Sequence, residues 1–377
     1  MAGIYIHIPY CKQACHYCDF HFSTMLKSVP EMGKAILEEI RMRGDYLGKQ
    51  SISTIYFGGG TPSLLPAVYI SSILSLIRRS FFLTEQTEIT LEANPDDLSP
   101  EKLKMFFDLG INRLSIGVQS FDNEVLKFIN RAHSRDQALK CIEDARKTGF
   151  RNINVDLIHS IPGSRPDRWQ RDLEIILDIF PEHISSYGLT IEPGTVFGKW
   201  HKEKRLIPLE EDLAASEYEL LINYLQRAGY DHYEISNFAL PGHRSRHNMS
   251  YWLGEHYMGI GPGAHSYNGT SRQYNVTNNA RYIKSIHHKE LPATRETLSR
   301  LDQANEYLLT SLRTSWGIDL KVLREKFSFN LLDEQGTYLQ RLIQGGLLLQ
   351  QNEHLILTDK GKLLADQITE DLFLTSP

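Results

Sequence analysis

Up to about residue 190, short runs of β-branched and aromatic residues alternate with longer stretches whose apolar positions recur at helical spacing. Residues 4–8, 54–57, 88–92, 113–118, 152–157 and 184–189 read as strands, and residues 30–46, 68–81, 100–109, 134–148 and 165–179 as amphipathic helices. Parallel strands need crossover connections, which are usually helical, so six strand-then-helix units predict an α/β fold with a parallel sheet. Periodicity leaves open whether that sheet is doubly wound or curled into a full or partial barrel. The unusual residues cluster at the carboxyl ends of the strands: Gly58-Gly59-Gly60-Thr61-Pro62, Glu92-Ala93-Asn94-Pro95, Gly117-Val118-Gln119-Ser120 and Asp156. Parallel α/β folds place their sites on that face.

Beyond residue 190 the pattern loosens. Residues 230–280 are rich in Tyr, His, Asn and Gly and read as a loop-dominated region carrying polar chemistry. Helical patterns at 300–315, 320–327 and 338–344 then precede extended runs at 347–349 and 355–357 and a final helix from 359, an order resembling a winged helix. The expected organisation is a core over 1–190, a connecting region over 191–290 and a smaller domain over 291–377.

The composition is that of a globular protein, with 377 residues, 41% of them hydrophobic, and a formal net charge of -5. Residues 291–377 hold 9 Lys and Arg against 12 Asp and Glu, which argues against a phosphate-backbone partner for the winged-helix-like part. No nucleic acid is therefore expected. The N-terminal residues lack the pattern of a secretory signal, and no apolar run approaches the roughly 20 residues of a membrane span. A cytoplasmic protein is the expectation. Three of the 4 cysteines fall within eight residues, so a metal is a better reading than a disulfide framework.

Cys11, Cys15 and Cys18 offer three soft thiolates from one loop after the first strand. Zinc needs a fourth ligand, for which His7, His16 and His21 are the local candidates. An iron–sulfur cubane with one open iron needs none.

This CxxxCxxC loop, with Tyr17 before its last cysteine, resembles the radical S-adenosylmethionine (radical SAM) superfamily. The resemblance implies a [4Fe–4S] cluster on Cys11, Cys15 and Cys18, with S-adenosylmethionine chelating the open iron. It implies an incomplete parallel (β/α)6 TIM-like barrel with a smaller winged-helix-like C-terminal domain. Gly59, Gly60 and Thr61 resemble the glycine-rich element that approaches the methionyl amino group, where a side chain would obstruct contact. Glu92, Gln119, Arg131 and Asp156 stand where cofactor contacts fall in the oxygen-independent coproporphyrinogen oxidases and their relatives. Tyr5 and Tyr17 resemble cofactor-contacting aromatics. Taken singly, each of these is equally a capping, surface or core residue.

Within that group the chain is similar to the HemW branch, described as haem chaperones. The catalytic oxidases show a fourth cysteine at the position of Phe20 and an extension before the first strand, and this sequence has neither. His247-Asn248-Met249-Ser250-Tyr251-Trp252 matches an HNxxYW pattern associated there with haem, implying His247 as a haem contact. A histidine packed into the barrel rim is the competing reading. Gly261-Pro262-Gly263-Ala264-His265-Ser266-Tyr267 adds His265 as a second candidate ligand. The resemblance implies haem as cargo, with haem-accepting membrane proteins as partners. The alternatives are a coproporphyrinogen III oxidase decarboxylating propionates through a 5′-deoxyadenosyl radical, and a radical methyltransferase. Replacing Cys15 by Ala is expected to abolish the visible iron–sulfur absorption and the iron content of protein reconstituted without oxygen, measured against the wild type; unchanged iron would refute the ligand set.

Overall fold

The computed structural model describes residues 1–163 and 165–375. All six expected strands form: β1 Ala2–Ile8, β2 Ile52–Gly59, β3 Leu83–Ala93, β4 Arg113–Gln119, β5 Ile153–His159 and β6 His183–Gly188, each paired in parallel with the next. Helices Val29–Met42, Ala67–Ser80, Pro100–Asp108, Arg135–Thr148 and Pro166–Ile179 make the crossovers. Local signals set their ends. Ser134 and Gln137 form a capping box at the start of Arg135–Thr148, and Gly149, at a φ of 119°, closes it.

The strands alternate, apart from positions such as Ile158 on β5 and Ser186 on β6. Ile4, Ile6, Ile55, Phe57, Leu91, Leu114, Ile116, Val155 and Leu157 are fully buried against the helices and share one core with Met32, Ile36, Ile70, Ile73, Leu103 and Phe106. The intervening positions face inward and are polar, including Thr54, Glu88, Thr90, Glu92, Arg113, Ser115, Asn154, Asp156 and His183. The sheet therefore wraps an interior of hydrogen-bonding groups inside an apolar jacket. Asn154 shows how that interior is satisfied: its amide donates to Ser115 (2.7 Å) and Asp156 (2.6 Å), and its carbonyl contacts His183 Nδ1 (2.6 Å) and accepts from Ser185 (3.1 Å).

The region expected to be loop-dominated is not so. It contributes β7 Asp231–Glu234, β8 Asn237–Ala239, β9 His256–Ile260, β10 His265–Tyr267 and β11 Ser271–Asn275, and β12 Ala293–Thr297 follows. The full order is β12-β11-β10-β9-β1-β2-β3-β4-β5-β6-β8-β7, with β9 parallel to β1 and the outermost strands antiparallel. These strands have three to five residues and carry Tyr, His and Asn, so they lack the long β-branched runs that signal a strand.

A buried ion pair fixes the β9–β11 edge. Glu39, on Val29–Met42, and Arg43, the C-cap of that helix one turn later, lie 3.2 Å apart and are both buried. Glu39 also accepts from Gly261 N (2.8 Å), Asn275 Nδ2 (2.8 Å) and Tyr282 OH (2.5 Å), while Arg43 donates to Gly259 O (2.7 Å) and Ser266 Oγ (3.0 Å). With their hydrogen bonds met, the two charges hold the Gly261–Gly263 turn against the helix.

The C-terminal residues build a second core around Leu308, Leu312, Ile318, Leu339, Leu342 and Leu355. Helices Arg300–Leu312 and Leu331–Gln344 pack with a three-stranded antiparallel sheet in which β15 (His354–Leu357) lies between β13 (Ile318–Asp319) and β14 (Leu348–Gln351). This is the winged-helix-like arrangement, with one strand more than the expected ribbon. Backbone bonds from Ile235 to Arg313 (3.1 Å) and from Ser315 to Tyr233 (3.0 Å) join it to the barrel.

Glu39→Ala leaves Arg43 buried without its partner, and is expected to destabilise the protein by about 3–5 kcal/mol in denaturant unfolding; a loss below about 1 kcal/mol would show that the pair does not hold the edge.

Candidate metal and cofactor site

The cysteine loop leaves the carboxyl end of β1 and is tied down along its length. Cys11 N donates to Ser23 O (3.1 Å), and His16 N to Ile129 O (3.1 Å). Gln13 Nε2 donates to Asn130 Oδ1 (2.6 Å), and Asn130 Nδ2 returns a bond to Ala14 O (2.7 Å). Lys12 pairs with Asp96 (2.9 Å) and with Asp97. Residues just after β3 and just after helix Asn123–Phe128 therefore shape a loop that begins at β1.

Two of the sulfurs are linked through one polar network. Thr61 donates its hydroxyl to Cys11 Sγ (3.5 Å) and accepts from Asn94 Nδ2 (3.1 Å). Asn94 Oδ1 accepts from Arg131 (2.6 Å), whose guanidinium also donates to Gly117 O (2.5 Å) and to Cys15 Sγ (3.3 Å). Arg131 Nε is buried with no hydrogen-bond partner among the described residues, which leaves one donor for an anionic group beside the thiols. Burial pushes the Cys11 thiol up and the Cys18 thiol up to about 11, so metal loading has to displace protons.

The donor set fits a cubane better than a single ion. His7 has both ring nitrogens bonded, to His21 O (2.9 Å) and Tyr5 OH (3.2 Å), while His16 bonds Phe128 O (2.9 Å) and His21 bonds Asn279 Oδ1 (2.8 Å) through one nitrogen each. Among the described residues, no three His, Cys, Asp or Glu side chains surround one ion-sized point. Three thiolates on separate irons of a cubane need not do so.

Gly59 and Gly60 stand beside this loop, but packing already demands them. A Cβ on Gly60 would lie 2.6 Å from Tyr10 O, and one on Gly59, at a φ of 108°, would meet the His7 ring at 2.5 Å. Deeper in, Glu92 accepts from Tyr56 OH (2.7 Å) and Gly59 N (3.1 Å). Desolvation pushes its carboxyl up to about 7, with the Tyr56 bond opposing and the Asp156 charge adding to the shift. Asp156, raised by the same cause, accepts from Asn154 and Ser115. Tyr17 packs near Val125, Leu126 and Phe197, while Gln119 adopts a φ of 71° at the end of β4. Asn130 and Tyr56 were not singled out in the sequence, and Asn94, though within a noted strand-end stretch, was given no role there. Asn94 carried a usable signal, since it precedes a proline at a strand end.

His247 lies on the floor of the barrel, away from the cysteines. The backbone N–H groups of Arg246 and His247, at the start of helix Arg246–Trp252, donate to Glu88 on β3 (3.3 and 3.2 Å). The ring fills the space beside Gly3, 4.9 Å from the Tyr56 ring and 6.2 Å from that of Tyr5. Its Nδ1 bonds Thr54 Oγ1 (2.8 Å), its Nε2 bonds Tyr251 OH (2.8 Å), and burial pulls its pKa down to about 3. A neutral imidazole has one donor and one acceptor, and both are in use. Iron ligation by His247 requires the ring to leave a partner. The Arg313 guanidinium of the C-terminal domain lies 5.7 Å from the Trp252 ring.

A thiol trio at the carboxyl ends of parallel strands, beside a guanidinium with a free donor, defines the class. Residues 5–176 match the model of the Radical SAM superfamily, and residues 298–364 that of the HemN C-terminal domain. Two proteins named Heme chaperone HemW, from Bacillus subtilis and Lactococcus lactis, are each 36% identical over 98% of this chain, covering 98% and 97% of their own lengths. The chain belongs to the HemW family. The solved structure of coproporphyrinogen III oxidase (HemN) from Escherichia coli superposes with a TM-score of 0.85 over 99% of this chain and 90% of that one, at 23% identity, a likeness of fold. No helix among the described residues is long and apolar enough to cross a membrane.

The Glu92 shift predicts a pH dependence. Its folded pKa lies above its unfolded value, so between about pH 4.5 and 7 the folded state holds the extra proton and stability falls as pH rises. Glu92→Gln is expected to flatten that slope in denaturant titrations of the metal-free protein; an unchanged slope would assign it to other groups.

Proposed function

We propose that the chain is a haem chaperone that carries a [4Fe–4S] cluster and S-adenosylmethionine, works in the cytoplasm, and passes haem to membrane-bound haem proteins. The observation that carries this reading is the near-full-length likeness to proteins named haem chaperones, in a chain whose three-thiol site is complete. Cys11, Cys15 and Cys18 would hold the cluster, which supplies an open iron coordination site and an electron. Arg131 would bind the methionyl carboxylate through its free Nε, while Thr61 and Asn94 keep the guanidinium and the first two sulfurs in register. The backbone at Gly59 and Gly60 would flank the methionyl amino group. Glu92 and Asp156 would be contacts deeper in the barrel, and Tyr5 and Tyr56 would stand between a cofactor there and His247. Gln119 and Tyr17 would be further contacts of the cofactor.

Protein reconstituted anaerobically with iron and sulfide is expected to bind haemin and to transfer it to an apo-haem protein such as apomyoglobin, read as the rise of the acceptor's Soret band. Supplied with coproporphyrinogen III, S-adenosylmethionine and a reductant, it is expected to leave the propionates intact. Accumulation of decarboxylated porphyrinogen, or failure to bind haemin, would overturn the chaperone reading.

A further inference from the structure

The inner face of the barrel continues past β1 onto the short strands at its edge, and that continuation is aromatic. Tyr257 pairs with Tyr267 across β9 and β10, and their rings lie 6.2 Å apart. Tyr257 also meets Tyr251 edge-on at 4.6 Å, and Tyr251 meets His247 at 5.1 Å. A file of ring contacts thus runs from the barrel floor to the sheet edge. Two residues from Tyr267, on the same face of β10, stands His265. Its cross-strand partner is Tyr274, the two rings stacked at 5.6 Å and both side chains exposed. Among the described residues the His265 ring has no hydrogen-bond partner; partial burial and the nearby Arg272 charge lower its pKa. Arg272, paired with Tyr267 across the strands, holds Glu306 at 2.7 Å, which seats the wall against the C-terminal helix Arg300–Leu312.

We propose that this face is the haem-docking wall and that His265, rather than His247, ligates the haem iron. The inference rests on the chaperone reading above and names the site at which the cargo sits. Three features fit haem in particular. Tyr257, Tyr267 and Tyr274 offer flat apolar surface with polar tips to a planar macrocycle. Arg272 meets Glu306 through Nε, which leaves its terminal nitrogens to donate to a propionate. His265 offers a neutral imidazole without displacing any partner, whereas His247 has both nitrogens bonded on the barrel floor. The Glu39–Arg43 pair, which clamps the preceding turn, holds β10 in place beforehand, so binding need not order it.

The test is a Soret titration of the full-length reconstituted protein with haemin, repeated with metal-free protoporphyrin IX. His265→Ala is expected to weaken haemin binding about ten-fold or more and to remove the ligand-dependent Soret shift. Its cluster absorption and thermal unfolding are expected to match the wild type, because the side chain is exposed. Protoporphyrin IX, which has no iron to ligate, should bind His265→Ala as it binds the wild type, and should bind Tyr274→Ala more weakly. Wild-type haemin affinity and Soret position in His265→Ala would overturn the assignment, as would loss of the Soret shift in a folded His247→Ala while His265→Ala keeps it. Failure of the wild-type protein itself to bind haemin would count against the chaperone reading instead.

Discussion

One constraint organises the molecule: a parallel sheet whose alternate side chains must satisfy opposite surroundings. Outward positions are aliphatic because helices cover them, and inward positions are polar because they line a closed-off interior that has to offer hydrogen bonds. The second requirement is the more exacting, since each buried polar group needs a partner. Asn154, with Ser115, Asp156, His183 and Ser185 around it, and Glu92, with Tyr56 and Gly59, show the requirement met from neighbouring strands. The site at the carboxyl ends is built on this frame. Thr61 and Asn94 follow the ends of β2 and β3, Arg131 follows the helix Asn123–Phe128 after β4, and together they link two sulfurs of a loop that belongs to β1.

Much of this was legible in the sequence, for identifiable reasons. The six core strands carry runs such as Ile4-Tyr5-Ile6 and Arg113-Leu114-Ser115-Ile116, and clear amphipathic helices separate them, so both periods register. The thiol trio was legible because its spacing is local. The edge strands were not, since β8 and β10 have three residues each, and the β9–β11 edge is held by the Glu39–Arg43 clamp, a contact made between residues more than 200 positions apart. The roles of Asn94 and Asn130 were missed for the same reason: their work is done at a distance in sequence, and an Asn in a turn has a local explanation that suffices on its own.

His247 illustrates how a motif and its surroundings answer different questions. The sequence offers an imidazole beside Tyr and Trp, a set suited to haem. The fold instead places that imidazole under Tyr5 and Tyr56, bonds both nitrogens, and sets the adjoining Trp252 beneath Arg313 of the C-terminal domain. The hexapeptide thus closes the barrel floor and joins it to the second core. Gly59 and Gly60 teach the same lesson. The close approach that calls for glycine is between β1 and β2 themselves, so the residue type is fixed by packing before any ligand arrives.

The pairing of β9 with β1 bears on how the chain is made. The cysteine loop and its strand leave the ribosome well before residues 256–260, so one flank of β1 waits for them before its hydrogen bonds close. During that interval the nascent chain presents an unpaired strand edge and three thiols together, at a stage when helices Val29–Met42 and Ala67–Ser80 can already cover β1 and β2. The open edge and the thiol loop thus share one exposed stretch of polypeptide, and docking of β9 closes the edge.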